Sequence, residues 1–192
     1  MNQFSFLPFK NLSSYRLLLR QITPEDIHEV FAMRSNADVM KYIPRPLCTT
    51  LAEAMALINM MKEKIETNEG INWAITLKGN NKMIGFIGLY QIQWQNHRAE
   101  LGYMLIPDFQ GMGIISEAIQ LVIEYGFKEM RMHSLEAIID PENIASARVL
   151  EKNNFIKEAH FKENGFFDGK FIDSVVYSLV QKENSHLTPK TL

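Results

Sequence analysis

The run from Leu101 to Ala118, Leu-Gly-Tyr-Met-Leu-Ile-Pro-Asp-Phe-Gln-Gly-Met-Gly-Ile-Ile-Ser-Glu-Ala, joins a strand-like segment to a helix through a glycine-rich turn. The first N–H groups of a helix have no intrahelical acceptor and point out beyond its start. Together with the positive end of the macrodipole they make an anion site. Gly111 and Gly113 remove side chains where a phosphate would touch the main chain. The junction predicts a strand–turn–helix unit that grips a phosphate or pyrophosphate without a lysine.

What surrounds the junction narrows the choice. The chain has 192 residues, enough for one domain with its own core. A net charge of -2 and the lack of a dense basic stretch argue against nucleic acid as a partner. Cys48 is the one cysteine, so no internal disulfide is expected. The five histidines show no ligand spacing with it or with one another, so no metal is expected. The apolar start, Phe4 to Phe9, lacks a basic flank and a cleavage site. No run approaches the ~20 apolar residues of a membrane span. The expectation is a cytoplasmic protein with no membrane partner.

Along the chain, residues 1–14 read as a loosely attached arm, 15–181 as one domain and 182–192 as a polar tail. Arg16 to Arg20 reads as a strand. Thr23-Pro24-Glu25-Asp26 opens a helix to Met33, and Asn36 to Tyr42 adds a short turn of helix. Thr50-Leu51-Ala52-Glu53 is a capping box for a helix to Thr67, with Ala54, Leu57, Ile58, Met61 and Ile65 on one stripe. Strands are expected over 73–77, 83–92 and 99–106, then the helix from the glycine turn to Lys128. The strand 134–139, a helix from about 143 to 153, and strands 155–161 and 171–180 complete the chain. This order predicts an α/β fold, a mixed and mostly antiparallel sheet of about seven strands flanked by helices. A ligand would sit where strands splay, at the end of the 99–106 strand.

At these residues the chain resembles the GNAT acetyltransferases. Gln110 and Gly113 match the first and fourth positions of the family's Gln/Arg-x-x-Gly-x-Gly/Ala motif, with Gly111 and Met112 between them. Ile115 departs from the usual Gly or Ala at the sixth. Asn143-Ile144-Ala145-Ser146 through Asn153-Asn154-Phe155 is similar to the N-x-x-S-x-x-v-l-e-K-x-G-F segment of the RimJ/RimL-like branch, which contains ribosomal-protein-alanine N-acetyltransferases. Asp168 to Asp173 and Arg16 to Arg20 resemble that branch's closing hairpin and first strand.

The resemblance implies acetyl-CoA as co-substrate and a primary amine as acceptor, most naturally a protein N-terminus such as that of a ribosomal protein. It implies that N–H groups of Met112, Gly113, Ile114, Ile115 and Ser116 hold the pyrophosphate, with a bond from the Ser116 hydroxyl. Main-chain groups of Met104, Leu105 and Ile106 would face the pantetheine arm, and amides near Leu105 and Ile106 would meet the oxyanion. Ile115 must then point into the protein.

Glu100 interrupts an apolar strand. It reads either as a base or ammonium site, or as a carboxylate paired with Arg98 or a lysine. Asn143 and Ser146 lie one turn apart. They read as a helix cap, or as a cofactor contact with Ser146 as proton donor to the thiolate. Tyr103 and Tyr177 are alternative acids. Phe31, Met40, Tyr42, Trp94, Phe166 and Phe167 are candidates to shape the acceptor pocket, together with the Pro44–Thr49 loop. Polyamines, aminoglycosides and amino acids remain open as acceptors. A cofactor-binding module with little activity and a nucleotide-dependent oxidoreductase remain open as classes, as do a monomer and a homodimer.

Overall fold

The computed structural model describes residues 4–181. Its strands are β1 (Leu12–Ser13), β2 (Leu17–Gln21), β3 (Ile71–Leu77), β4 (Met83–Gln93), β5 (Arg98–Leu105), β6 (Ser134–Ile139), β7 (Ile156–Phe167) and β8 (Lys170–Val180). Its helices are α1 (Ile27–Arg34), α2 (Ala37–Met40), α3 (Leu51–Glu66), α4 (Ile114–Lys128) and α5 (Ile144–Lys152). The strands form one mixed sheet in the order β1-β2-β3-β4-β5-β6-β8-β7. The pair β5–β6 is parallel; every other neighbouring pair is antiparallel. The α/β reading holds, with β1 added to the expected seven strands.

Local chemistry explains the helices that frame the site. Thr50 accepts the Glu53 N–H at 3.3 Å, and the Glu53 carboxylate accepts the Thr49 N–H at 2.7 Å. The capping box therefore closes one residue earlier than its usual form. On α3, Ala54, Ile58, Met61 and Ile65 are buried, as one helical stripe requires. They pack with Val30 and Met33 of α1 against Ala74, Phe86 and Met104 on one face of the sheet. The other face carries Trp73, Ile75, Ile87 and Leu89, covered by Ile115, Ile119, Val122 and Tyr125 of α4. Because both faces are covered, β3 is buried along almost its whole length.

Two expectations change. The stretch 1–14 is not loose from Phe4 onward. Phe6 is buried, Phe4 lies 5.4 Å from Trp94 between ring centroids, and Trp73 donates to the Lys10 carbonyl at 2.9 Å. Its phenylalanines cap aromatic surface of the domain, and Leu12–Ser13 pairs with β2. The last hairpin is also longer than expected. Asp168 (φ 49°) and Gly169 (φ 75°) make a tight two-residue turn, so β7 runs on through polar residues to Phe167. The tail expected over 182–192 lies outside the described residues.

Candidate active site

β5 pairs with β4 from Glu100 to Leu105, but with β6 over Arg98, Ala99 and Glu100 alone. Beyond Glu100 the parallel strands part and leave a gap. The Ile106 N–H donates to the Ile84 carbonyl at 3.0 Å. Antiparallel pairing alternates, so Met104 and Ile106 turn their main-chain groups to β4, while Tyr103 and Leu105 turn theirs to the gap. This corrects the expected main-chain roles of Met104 and Ile106: the Ile106 amide is already engaged. The Leu105 carbonyl accepts from Gln110 Nε2 at 3.3 Å, which ties the motif's first residue to the strand end.

The turn itself holds two left-handed glycines, Gly111 and Gly113, both at φ 75°. A Cβ built on Gly111 would meet nothing within 4 Å, so the space over the turn is open. The first bond of α4 runs from the Glu117 N–H to the Gly113 carbonyl at 3.1 Å. The N–H groups of Ile114, Ile115 and Ser116 therefore have no intrahelical acceptor. The side chains of Ile114 and Ile115 are buried in the core, so the branched residue at the motif's sixth position leaves the mouth clear. Met112 is exposed. The Ser116 hydroxyl is turned inward and accepts from Asn153 Nδ2 at 3.0 Å, contrary to the expected bond to phosphate. Its N–H remains at the mouth.

One residue at the turn escaped the sequence reading. Arg16 donates from Nη1 to the Met112 carbonyl at 3.2 Å and from Nε to Glu117 at 2.8 Å. It places a cation beside the open N–H groups. Burial acts to raise the Glu117 pKa, but hydrogen bonds from Ser14 and Arg16 outweigh it and hold the carboxyl below its usual range. Arg16 and Met112 are 96 positions apart, and no local pattern joins them.

On the far side of the gap, Asn143 Oδ1 accepts the Ser146 N–H at 3.1 Å and caps α5. The cap uses the Ser146 main chain and leaves its hydroxyl out of the bond. The buried Tyr103 hydroxyl has no hydrogen-bond partner among the described residues. Burial pushes it up to about 12, and the nearby Ser146 side chain pulls slightly the other way without completing a bond. Tyr177 is spoken for: its hydroxyl donates to Glu151 at 3.2 Å.

A cavity of about 600 Å³ joins these groups, with Glu100, Tyr103, Asn143 and Ser146 on its wall alongside Arg34, Arg45, Lys64, Asn72 and Tyr90. A second cavity of about 920 Å³, between the 37–47 segment and the last hairpin, shares Tyr42, Arg45 and Glu100 with it. Of the residues expected to shape an acceptor pocket, Met40, Tyr42 and Phe167 line this second cavity. Phe31 packs against the α1–α3 core, Trp94 sits with Phe4 at the other end of β4, and Phe166 meets Phe171 edge to face.

Glu100 is not the paired strand-edge carboxylate of the alternative reading. Arg98 turns to Glu136 instead, and Glu100 makes no ion pair among the described residues. Burial first, and then the charge of Glu136, push its pKa up; Arg45 pulls it down. The facing Tyr90 phenol is pushed up by burial and by the Glu100 charge. A carboxylate with a raised pKa in a cleft is a candidate proton acceptor.

Among the described residues no cluster could hold a metal, and no helix is long and apolar enough to cross a membrane. Residues 16–156 match the family model described as an acetyltransferase (GNAT) domain. The chain is 33% identical over 173 residues to the uncharacterized N-acetyltransferase YoaA of Bacillus subtilis, covering 90% of this chain and 98% of that one. It is 25% identical to the spermidine N(1)-acetyltransferase of Escherichia coli, over 92% of this chain and 94% of that one. A GNAT acetyltransferase crystal structure from Bacillus anthracis superposes with a TM-score of 0.80 at 30% identity, covering 89% of this chain and 98% of that one. The open glycine turn, the parted strands and these likenesses agree: the chain belongs to the GNAT family and is an N-acetyltransferase that draws its acetyl group from acetyl-CoA.

Proposed function

We propose that the acceptor is the α-amine at a protein N-terminus, as in the ribosomal-protein-alanine branch, and that the reaction runs in the cytoplasm. The observation that carries this reading is the charge of the cavity beside Ser146. Arg34, Arg45 and Lys64 line it against the single carboxylate of Glu100, whereas Asp140, Asp168 and Asp173 line only the adjoining cavity. A polyamine brings several positive charges, and one that extended past Glu100 into the first cavity would meet repulsion there. An α-amine brings one, and titrates near ~7.7–8, so a usable fraction is neutral at pH 7.

In this reading the N–H groups from Met112 to Ser116, with Arg16 beside them, hold the diphosphate of acetyl-CoA. The gap-facing main chain of Tyr103 and Leu105 pairs with the pantetheine amides, and the Leu105 amide stands near the developing oxyanion. Asn143 holds the α5 end of the site. Glu100 takes a proton from the amine, through water or directly. The amine nitrogen bonds to the acetyl carbon, the carbon–sulfur bond breaks, and Ser146 passes a proton to the thiolate while its hydroxyl is reprotonated from water, to which Glu100 later releases its own proton. No acyl-enzyme is needed, and holding the reactants together supplies most of the rate.

The test is CoA release with peptides beginning with Ala, Ser or Met, alongside spermidine and an aminoglycoside. Peptide turnover above the other amines supports the reading. Spermidine as the preferred acceptor overturns it.

A further inference from the structure

Asn72 is the second residue of β3, is 1% exposed, and has no partner for either Nδ2 or Oδ1 among the described residues. A buried side-chain amide with both ends unmade is costly, and native interiors rarely contain one. Asn72 stands opposite Gly88 on β4, and Gly88 opposite Gly102 on β5. Neither glycine can be replaced freely. A Cβ on Gly88 would come within 2.6 Å of Asn72 Oδ1, and one on Gly102 within 2.8 Å of the Tyr90 ring. In the row Asn72, Gly88, Gly102 the two glycines thus leave room on a buried sheet face for the Asn72 amide and the Tyr90 ring. Asn72 and Gly102 line the same cavity as Glu100.

A second group there is also unmet. Arg34 Nε is buried without a partner, although Nη1 reaches the Met40 sulfur at 3.3 Å and Nη2 the Pro46 carbonyl at 3.5 Å. Asn72 and Arg34 therefore offer two donors and one acceptor, beside a carboxylate suited to an ammonium. The complement is a carbonyl adjoining an N–H, close to a primary amine. A polyamine has no acceptor for the two donors. A free amino acid has no N–H for Asn72 Oδ1. A peptide bond has both, on opposite sides of its trans plane, so Arg34 Nε would meet the carbonyl and Asn72 Oδ1 the N–H.

We infer that Asn72, with Arg34, reads the first peptide bond of the acceptor and so sets specificity. The inference rests on the proposed α-amine acceptor and names the group beside that amine. Asn72 is a positioning residue; it takes no part in the proton transfers.

The test compares alanine N-methylamide with alanine methyl ester, two α-amines that differ in one N–H. It uses the wild-type protein and Asn72→Leu, which keeps the branched shape. The expected result is kcat/KM favouring the amide by roughly tenfold in the wild type, and a preference that collapses in the variant. KM for acetyl-CoA should stay within about twofold, because the change lies away from the glycine turn. The melting temperature should rise, because an unmet polar group is removed. An equal preference in the two proteins overturns the role of Asn72 while leaving the α-amine reading intact. Preferred use of spermidine by the wild type overturns both. Binding of alanine N-methylamide to the CoA-loaded protein, seen as a shift of the Asn72 side-chain amide in an NMR spectrum, supports the inference even without turnover; absence of that shift overturns it.

Discussion

Glu100 and Glu136 stand opposite each other where β5 and β6 last pair, and the guanidinium of Arg98 goes to Glu136. One carboxylate is neutralised and the other is left facing the cavity. The arrangement leaves one acid bound and the other without an ion pair among the described residues, within a single cross-strand pair. Glu100→Gln should lower kcat about a hundredfold or more and leave acetyl-CoA affinity unchanged, since general acid–base groups contribute ~10²–10⁴. It should also stabilise the fold. The Glu100 pKa is raised in the folded chain, so the folded state holds the proton more tightly than the unfolded one, and stability falls as pH rises through that window. At neutral pH the variant should melt about 2–4 °C higher, with the difference vanishing below the ordinary carboxylate range. Calorimetry at two pH values and isothermal titration with acetyl-CoA check these outcomes.

In the proposed reaction Glu136 acts on Glu100 through its charge. It pushes the Glu100 pKa up, whereas Arg45 pulls it down. Glu136→Gln removes a like charge and frees Arg98, so the acid limb of kcat/KM against pH should move to lower pH. Arg45→Met should move it to higher pH. Each shift should be modest, as for partly solvated pairs. A pH profile that ignores both changes removes Glu100 as the group whose ionisation limits the rate.

The glycine turn, α3 and the order of the strands were legible because each rests on neighbours in sequence: Gly111 and Gly113, the Thr50–Glu53 cap, and continuous apolar runs such as 134–139. What was not legible comes from pairings across the chain. Arg16 meets Met112 and Glu117 because β2 lies beside the start of α4, and nothing in the local pattern announces that. Asn72 looks like an ordinary strand residue until its face is known. The partner of Arg98 likewise depended on whether β5 ran beside β6. The oxyanion expectation failed over one residue, because strand alternation decides which amides face the gap and the ladder phase cannot be read from composition.

Ser146 separates chemistry from scaffolding in a single variant. The α5 cap uses its main-chain N–H, which Ser146→Ala retains. The helix should therefore stay intact, with a melting temperature within about 1 °C. A thiol has a pKa of ~8.5 and leaves tolerably well unprotonated, so the expected loss in kcat is about tenfold rather than thousands. Tyr103→Phe removes a hydroxyl that bonds to nothing among the described residues and should leave kcat within a few-fold. The reverse ranking in steady-state assays would make Tyr103 the donor.

Ile115 and Gly113 sit two positions apart at the same turn, yet their variants should fail in opposite ways. Ile115 is buried in the core beneath the turn, so Ile115→Ala leaves a cavity. The cost should be about 2–4 kcal/mol of stability, with KM for acetyl-CoA little changed. Gly113 is left-handed at φ 75°, and an added Cβ would lie an ordinary 3.7 Å from Arg16 Nη2. Gly113→Ala therefore meets backbone strain rather than a clash, worth about 1–2 kcal/mol. The chain can relieve that strain by rotating the peptide out of the left-handed region. Doing so would turn the first N–H groups of α4 away from the diphosphate, so KM for acetyl-CoA should rise about tenfold. Denaturant titration and acetyl-CoA binding measured on both variants separate the residue that supports the turn from the one that shapes it. If Ile115→Ala weakened acetyl-CoA while leaving the fold at full strength, the isoleucine would be part of the phosphate mouth and not its foundation.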